Sequence, residues 1–234
     1  MEKYDHYYWN TAVPFLIMTQ RVGNLITSLN NYFVSLFLDS DHIASDKEIC
    51  DKICTFSILL EFEEEISKMM IRLNYKNGYF VKMHRAPKDS NWDDKMVNLK
   101  NTTGMDVLIK FVKSIRICDD LKNFSAVNIP LRVYFQEFVP VNPLNEFRMF
   151  ASEGGITNIR HLSLNVEGES EYNPETIFTL CETMYMNNFC KQYPKCAIDF
   201  VISRVDKIRI LEINPFDSTT DLYIGSTEIR LEQQ

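Results

Sequence analysis

Ala197-Ile198-Asp199-Phe200-Val201 and Ile210-Leu211-Glu212-Ile213-Asn214-Pro215-Phe216 are the two runs whose reading decides the fold. Both alternate apolar with polar residues, the period of a strand with one face on a core. Val205-Asp206-Lys207 between them is a short polar turn, so the spacing predicts an antiparallel hairpin. A hairpin closed symmetrically about that turn sets Asp199 directly opposite Glu212. Asn214, two residues beyond Glu212, shares its face. Two carboxylates and an amide oxygen in an apolar frame suit Mg2+, which keeps several waters and bridges to substrate phosphates. The same spacing also fits polar positions on the solvated face of a half-buried sheet.

Working outward, 234 residues suffice for one large domain or two small lobes sharing a cleft. A content of 45% hydrophobic and 24% charged residues fits a globular protein. No apolar run approaches the ~18 residues that read as a membrane span. Met1-Glu2-Lys3-Tyr4-Asp5 lacks the charged-then-apolar pattern of a signal peptide, so a cytoplasmic setting is expected. Cys50 and Cys54 are spaced for one helix face, a poor disulfide geometry, and no paired Cys-x-x-Cys sites suggest zinc. Cys118, Cys181, Cys190 and Cys196 complete a set expected to stay reduced and mostly structural. The net charge of −7 argues against a general nucleic-acid coat, although Lys68, Arg72, Lys76, Lys82, Arg85 and Lys88 form a basic island. With only seven glycines and no Gly-rich phosphate cradle, a nucleotide site must hold phosphates mainly with side chains.

Along the chain, residues 12–38 read as an irregular helix–strand entry, and Asp41 to Asp46 as a polar linker followed by helical spacing. Leu59, Phe62, Ile66, Met69, Met70 and Leu73 form one helical stripe, closed by the turn chemistry of Asn74-Tyr75-Lys76-Asn77-Gly78. Tyr79 to His84 reads as a strand, Met105 to Ile117 as a helix, and Ile129 to Val139 and Glu146 to Ala151 as strands around a Pro140–Pro143 corner. Asn173-Pro174-Glu175 starts a helix carrying Ile177, Leu180, Cys181, Met184 and Phe189. Mixed helices with mostly late strands imply an α+β class.

Three further constellations bear on chemistry. Lys82 shares a strand face with His84 among apolar neighbours, which suits either an ammonium aimed at a phosphate or a snorkelling lysine. Glu146 and Arg148 alternate to one face while Phe147 and Met149 take the other, which suits a phosphate-binding fork oriented by Glu146 or a plain ion pair. Tyr134-Phe135-Gln136-Glu137-Phe138-Val139 is an apolar strand ending in a corner, either core or a hinge whose backbone reads an adenine edge. His6, His42, His84 and His161 have no ligand spacing, and no nucleophile signature accompanies them.

Taken in order, Lys82, Ala86-Pro87-Lys88-Asp89 with Trp92, Glu146-Phe147-Arg148, Asp199, and Glu212-Ile213-Asn214-Pro215-Phe216 with Thr220-Asp221 resemble the cell division cycle protein 123 family. The resemblance takes in residues 8–228, including Tyr8-Trp9-Asn10 and Val13-Pro14-Phe15. It implies a single ATP-grasp-type α+β unit whose two lobes, near 1–138 and 139–234, clasp a nucleotide between antiparallel sheets. It further implies that Lys82 and Arg148 contact ATP phosphates and that Ala86, Pro87, Lys88 and Asp89 belong to a loop over the nucleotide. Glu137 and Phe138 become the hinge beside adenine, and Asp199, Glu212 and Asn214 the ligands of Mg2+. The family usually has Asp at the position of Glu212, and Ile159-Arg160-His161-Leu162 stands where it has a Gln-Arg-Asp stretch. An acidic insertion near the family's start and its tail beyond the fold have no counterpart here.

The function implied is that of an ATP- and Mg2+-dependent assembly or binding factor, a chaperone for a protein client of the translation initiation factor 2 gamma type. The alternative is an ATP-grasp ligase moving a phosphoryl or nucleotidyl group to an acceptor, with a nucleic-acid acceptor disfavoured by the acidity. A scaffold that has lost nucleotide binding is the third reading. No residue stands out as a dedicated general base.

Overall fold

The structure, a computed structural model, describes residues 13–87, 99–127, 130–140, 142–162, 170–204 and 207–215. The chain divides into two compact units at the Val139–Pro140 junction.

The first unit contains β1 (Phe15–Met18), α1 (Gln20–Ser40), α2 (Asp46–Ile53), α3 (Ser57–Leu73), β2 (Tyr79–Lys82), β3 (Lys100–Asn101), α4 (Gly104–Lys113), α5 (Ile115–Ala126) and β4 (Leu131–Glu137). Its sheet has the order β1-β4-β2-β3, with every pair antiparallel. Val81, Val133 and Phe135 on one sheet face join the helical stripes of α1 and α3 in a single core. The α3 stripe is the one read from the sequence: Leu59, Phe62, Ile66, Met69 and Met70 are all buried.

Three local expectations change. The irregular entry over 12–38 is instead a short strand and one continuous 21-residue helix, α1, whose N-cap Thr19 accepts from the amide of Val22. Asn30 interrupts the apolar stripe of α1 but is buried, and it donates to the carbonyl of Val112 at 2.8 Å. The helix expected over Met105–Ile117 breaks at Ser114, whose extended backbone and hydroxyl cap α5 by accepting from the amide of Ile117. The strand expected to reach His84 ends at Lys82, because the next residues turn onto α5. His84 therefore does not share a strand face with Lys82.

The second unit opens with a 3-10 turn at Pro143–Asn145 and continues through β5 (Glu146–Ser152), β6 (Gly155–His161), α6 (Pro174–Asn188), β7 (Cys196–Arg204) and β8 (Lys207–Pro215). Its sheet is antiparallel throughout, in the order β6-β5-β7-β8. Asn173 caps α6 by accepting from the amide of Thr176, with Pro174 at the first helical position, as the start signals predicted. Phe147, Met149, Ile159, Ile198, Phe200 and Ile213 form a core with Ile177, Cys181 and Tyr185 of α6. Each such side chain contributes about 1.5–3 kcal/mol on burial, so this face sets the strand register. The expected α+β class with antiparallel sheets is what the chain adopts. No described helix is long and apolar enough to cross a membrane.

Candidate functional site

On the opposite face of the second sheet, charged residues line up across all four strands. Arg160 of β6 lies opposite Arg148 of β5, Arg148 opposite Asp199 of β7, and Asp199 opposite Glu212 of β8. Directly opposed residues of antiparallel strands point to the same side, so the four form one row. Asn214 follows Glu212 on that face, and its amide nitrogen lies 3.5 Å from both Asp199 Oδ2 and Glu212 Oε2.

The row depends on a defect in the ladder. Between the turn and the site, Phe200 pairs with Ile210, Val201 with Arg209 and Ile202 with Ile208. Continued without interruption, that register would oppose Leu211 to Asp199 and send Glu212 to the α6 face beside Ile198. A bulge at Leu211 restores the facing of Asp199 and Glu212, and a second irregularity between Ile202 and Arg204 compensates it near the turn. Symmetric closure thus predicts the correct pair, although the register between the two bulges is one residue away from it.

Asp199 is 4% exposed, and Arg148 at 6% grips it with a planar fork: Nε donates to Oδ1 at 2.6 Å and Nη2 to Oδ2 at 2.8 Å. Such charge-assisted bidentate pairs are short and geometrically strict. Glu146, expected to orient Arg148, lies opposite Val201, and Asp199 is a carboxylate that holds the Arg148 fork. Arg160, from the stretch that stands where the family has Gln-Arg-Asp, sits on this face opposite Arg148. Adjacent guanidinium groups repel unless anions lie beside them, and Asp199 supplies one such charge.

The donor chemistry fits a hard divalent cation. Two carboxylates and an amide converge on one side chain's reach, and a half-turn of the Asn214 amide presents its oxygen in place of its nitrogen. Mg2+ takes few protein oxygens and completes its octahedron with water and phosphate. Among the described residues, no group of three or more His, Cys, Asp or Glu side chains offers a different metal set.

In the first unit, Lys82 is 4% exposed and lies opposite Tyr134, which in turn lies opposite Phe15. The rings of Phe15 and Tyr134 are 5.8 Å apart, so Lys82 stands at the end of an aromatic row on the face away from the helices. Glu137 lies opposite Tyr79 and accepts from Asn77 Nδ2 at 3.1 Å. Phe138 donates its backbone amide to the carbonyl of Gly78 at 2.9 Å, so this N–H of the expected hinge is already engaged. Ala86 and Pro87 follow the bend after β2, while Lys88 and Asp89 lie outside the described residues, as do Trp92, Thr220 and Asp221.

That bend contains a cluster the sequence reading passed over. Asp120 of α5, 4% exposed, accepts from the backbone amide of Arg85 at 3.1 Å and from its Nε at 2.8 Å. Burial pushes the Asp120 carboxyl above its usual range, against the opposing pull of Arg85 and His84. A basic residue and an acidic one 35 positions apart give no local sequence signal of pairing.

The D123 family model matches residues 35–228. A translation initiation factor eIF2 assembly protein of Lodderomyces elongisporus is 27% identical over 161 residues, which are 58% of this chain and 42% of that protein. The chain therefore spans less than half the length of this relative. The structure of Cdc123 from Schizosaccharomyces pombe superposes with a TM-score of 0.62 at 17% identity, covering 92% of this chain and 82% of the other. A C-terminally truncated form of the same protein gives 0.60 at 19% identity, with coverages of 88% and 90%. At these identities the likeness is one of fold, an α+β arrangement with antiparallel sheets.

Proposed function

This chain belongs to the D123 family, that of cell division cycle protein 123, and from that premise we propose that it binds ATP with Mg2+ and serves the assembly of translation initiation factor 2. Asp199, Glu212 and Asn214 hold the metal in this reading, while Arg148 and Lys82 meet the phosphates. Ala86, Pro87, Lys88 and Asp89 cover the nucleotide, and Glu137 and Phe138 border the adenine. The bound metal would neutralise phosphate charge; the chain's own residues orient and hold. The observation that carries the proposal is the row Arg148–Asp199–Glu212 with Asn214, which presents cation and metal-type ligands side by side on one rigid sheet. The client proposed is a gamma-type subunit, in keeping with the assembly role named for the Lodderomyces relative.

Calorimetric titration with ATP, with and without Mg2+, tests the nucleotide half. Mg2+-dependent binding is expected, and Glu212→Gln weakens it by ~1 kcal/mol or more, the scale of a charge-assisted contact. A folded wild-type protein that takes up no ATP overturns the reading. The client half is tested by co-precipitation of purified gamma subunit with ATP present and absent. Release of ADP or AMP in step with a modified acceptor would instead make the protein a ligase.

A further inference from the structure

One face of α5 seizes the chain as it leaves β2. Arg116, Asp120 and Phe124 recur at intervals of four, so they share a side of the helix. The carbonyl of Arg116 accepts from Arg85 Nη2 at 3.0 Å. Asp120 accepts from the backbone and the guanidinium of the same residue, Arg85, and the Phe124 ring meets His84 edge-on at 5.5 Å. A carboxylate that binds a residue's amide and its side chain together fixes both the direction of the backbone and the position of the fork.

The place it fixes matters. Arg85 lies three residues past Lys82 and directly before Ala86-Pro87. Lys82 is the last residue of β2, so beyond it the strand ladder no longer dictates the path of the chain. Met83 is fully buried, which pins the chain on one side, and the Arg85–Asp120 clamp pins it on the other. Asp120 is buried while the Arg85 side chain is 39% exposed, so the carboxylate is the fixed point and the arginine the strap.

We infer that Asp120 is a positioning residue, acting through Arg85 to set where Lys82 and the Ala86-Pro87 turn stand for the phosphates of a nucleotide. The inference rests on the ATP-binding reading above. It adds a part of the site that touches no ligand itself and sits on a helix rather than in the sheets.

The test is titration of the full chain with Mg2+–ATP, with Mg2+–ADP, with adenosine and with Mn2+ alone, on wild type, Asp120→Asn and Arg85→Gln. Both variants are expected to lose roughly tenfold in ATP affinity, about 1.4 kcal/mol. Their affinities for adenosine and for Mn2+ alone stay at the wild-type value, because the lost positioning concerns the phosphates. Arg85→Lys, which keeps the charge, recovers part of the loss. A purely structural clamp would lower the unfolding temperature yet leave the ATP affinity of the folded variants unchanged, and that result overturns the inference while the ATP reading stands. Absence of ATP binding to folded wild type removes both. Should Asp120→Asn fail to fold, the partly exposed Arg85→Gln decides the matter alone.

Discussion

Arg148 and Asp199, on neighbouring strands and 51 positions apart in sequence, are locked by two parallel hydrogen bonds inside the second unit. Each is buried, and each is the other's counter-charge. Removing one partner leaves a desolvated charge behind, so Arg148→Met is expected to cost about 3–5 kcal/mol of stability. The double variant Arg148→Met, Asp199→Leu should recover most of that loss, since apolar replacements of similar volume avoid the desolvation penalty. Urea unfolding of Arg148→Met, Asp199→Leu and the double variant measures the coupling. Additive losses in the double variant would contradict the pairing.

Glu212 faces Asp199 because Leu211 is bulged out of the ladder. Deleting Leu211 closes the bulge and runs the Phe200–Ile210 register straight on to Glu212, which stays opposite Asp199 with Asn214 on the same face. Mg2+-dependent ATP binding should persist, and stability should fall by only about 1 kcal/mol, since every later side chain keeps its face. Titration and urea unfolding of the deletion variant check both halves. Loss of the metal dependence in the folded deletion variant would show that the bulge shapes the site beyond the facing of Asp199 and Glu212.

The thiols divide by burial. Cys118 and Cys196 are pushed up to about 12 by desolvation, and burial raises Cys181 as well. Cys54 is exposed, while Cys50 and Cys190 are half-buried. Cys50 is raised by desolvation first and by its neighbour Cys54 second. Native protein treated with a thiol-exchange reagent near pH 8 should label Cys54 first. Cys118, Cys181 and Cys196 should react only after denaturation, because the thiolate is the nucleophile and burial disfavours it. Peptide mapping of the labelled protein reads the order directly.

The capping box at the start of α2 confers an acid dependence. Backbone and hydroxyl hydrogen bonds from Ser45, then the His42 ring, hold the Glu48 carboxyl down at about 2, below its ordinary 4.5. With the folded value depressed, the contribution is fully present above pH 4.5 and is lost as the pH falls towards 2. Wild type should therefore exceed Glu48→Gln in stability at neutral pH, with the gap closing across that window. A gap that is constant with pH would contradict the assignment.

Much of the architecture is legible locally. The α3 stripe, the Asn173-Pro174 helix start and the two alternating runs about Val205-Asp206-Lys207 each carry their own periodicity, and the structure follows all three where it is described. Even the facing of Asp199 and Glu212 is legible, because two bulges cancel and leave symmetric closure correct at that pair. The continuity of α1 was obscured by Asn30, a polar residue in an apolar stripe whose partner, the Val112 carbonyl, lies 82 positions away.

What the amino-acid sequence determined by itself is the class of the strongly periodic segments and the face on which their polar side chains stand, since both follow from periods of two and 3.6 residues along one dimension. Tertiary structure alone decided that Arg148 pairs with Asp199, that Asp120 holds Arg85, and that Leu211 leaves the ladder. Those relationships join residues across strands and helices, where partner choice depends on which backbones the two cores bring together. No spacing within a single run of sequence encodes that choice.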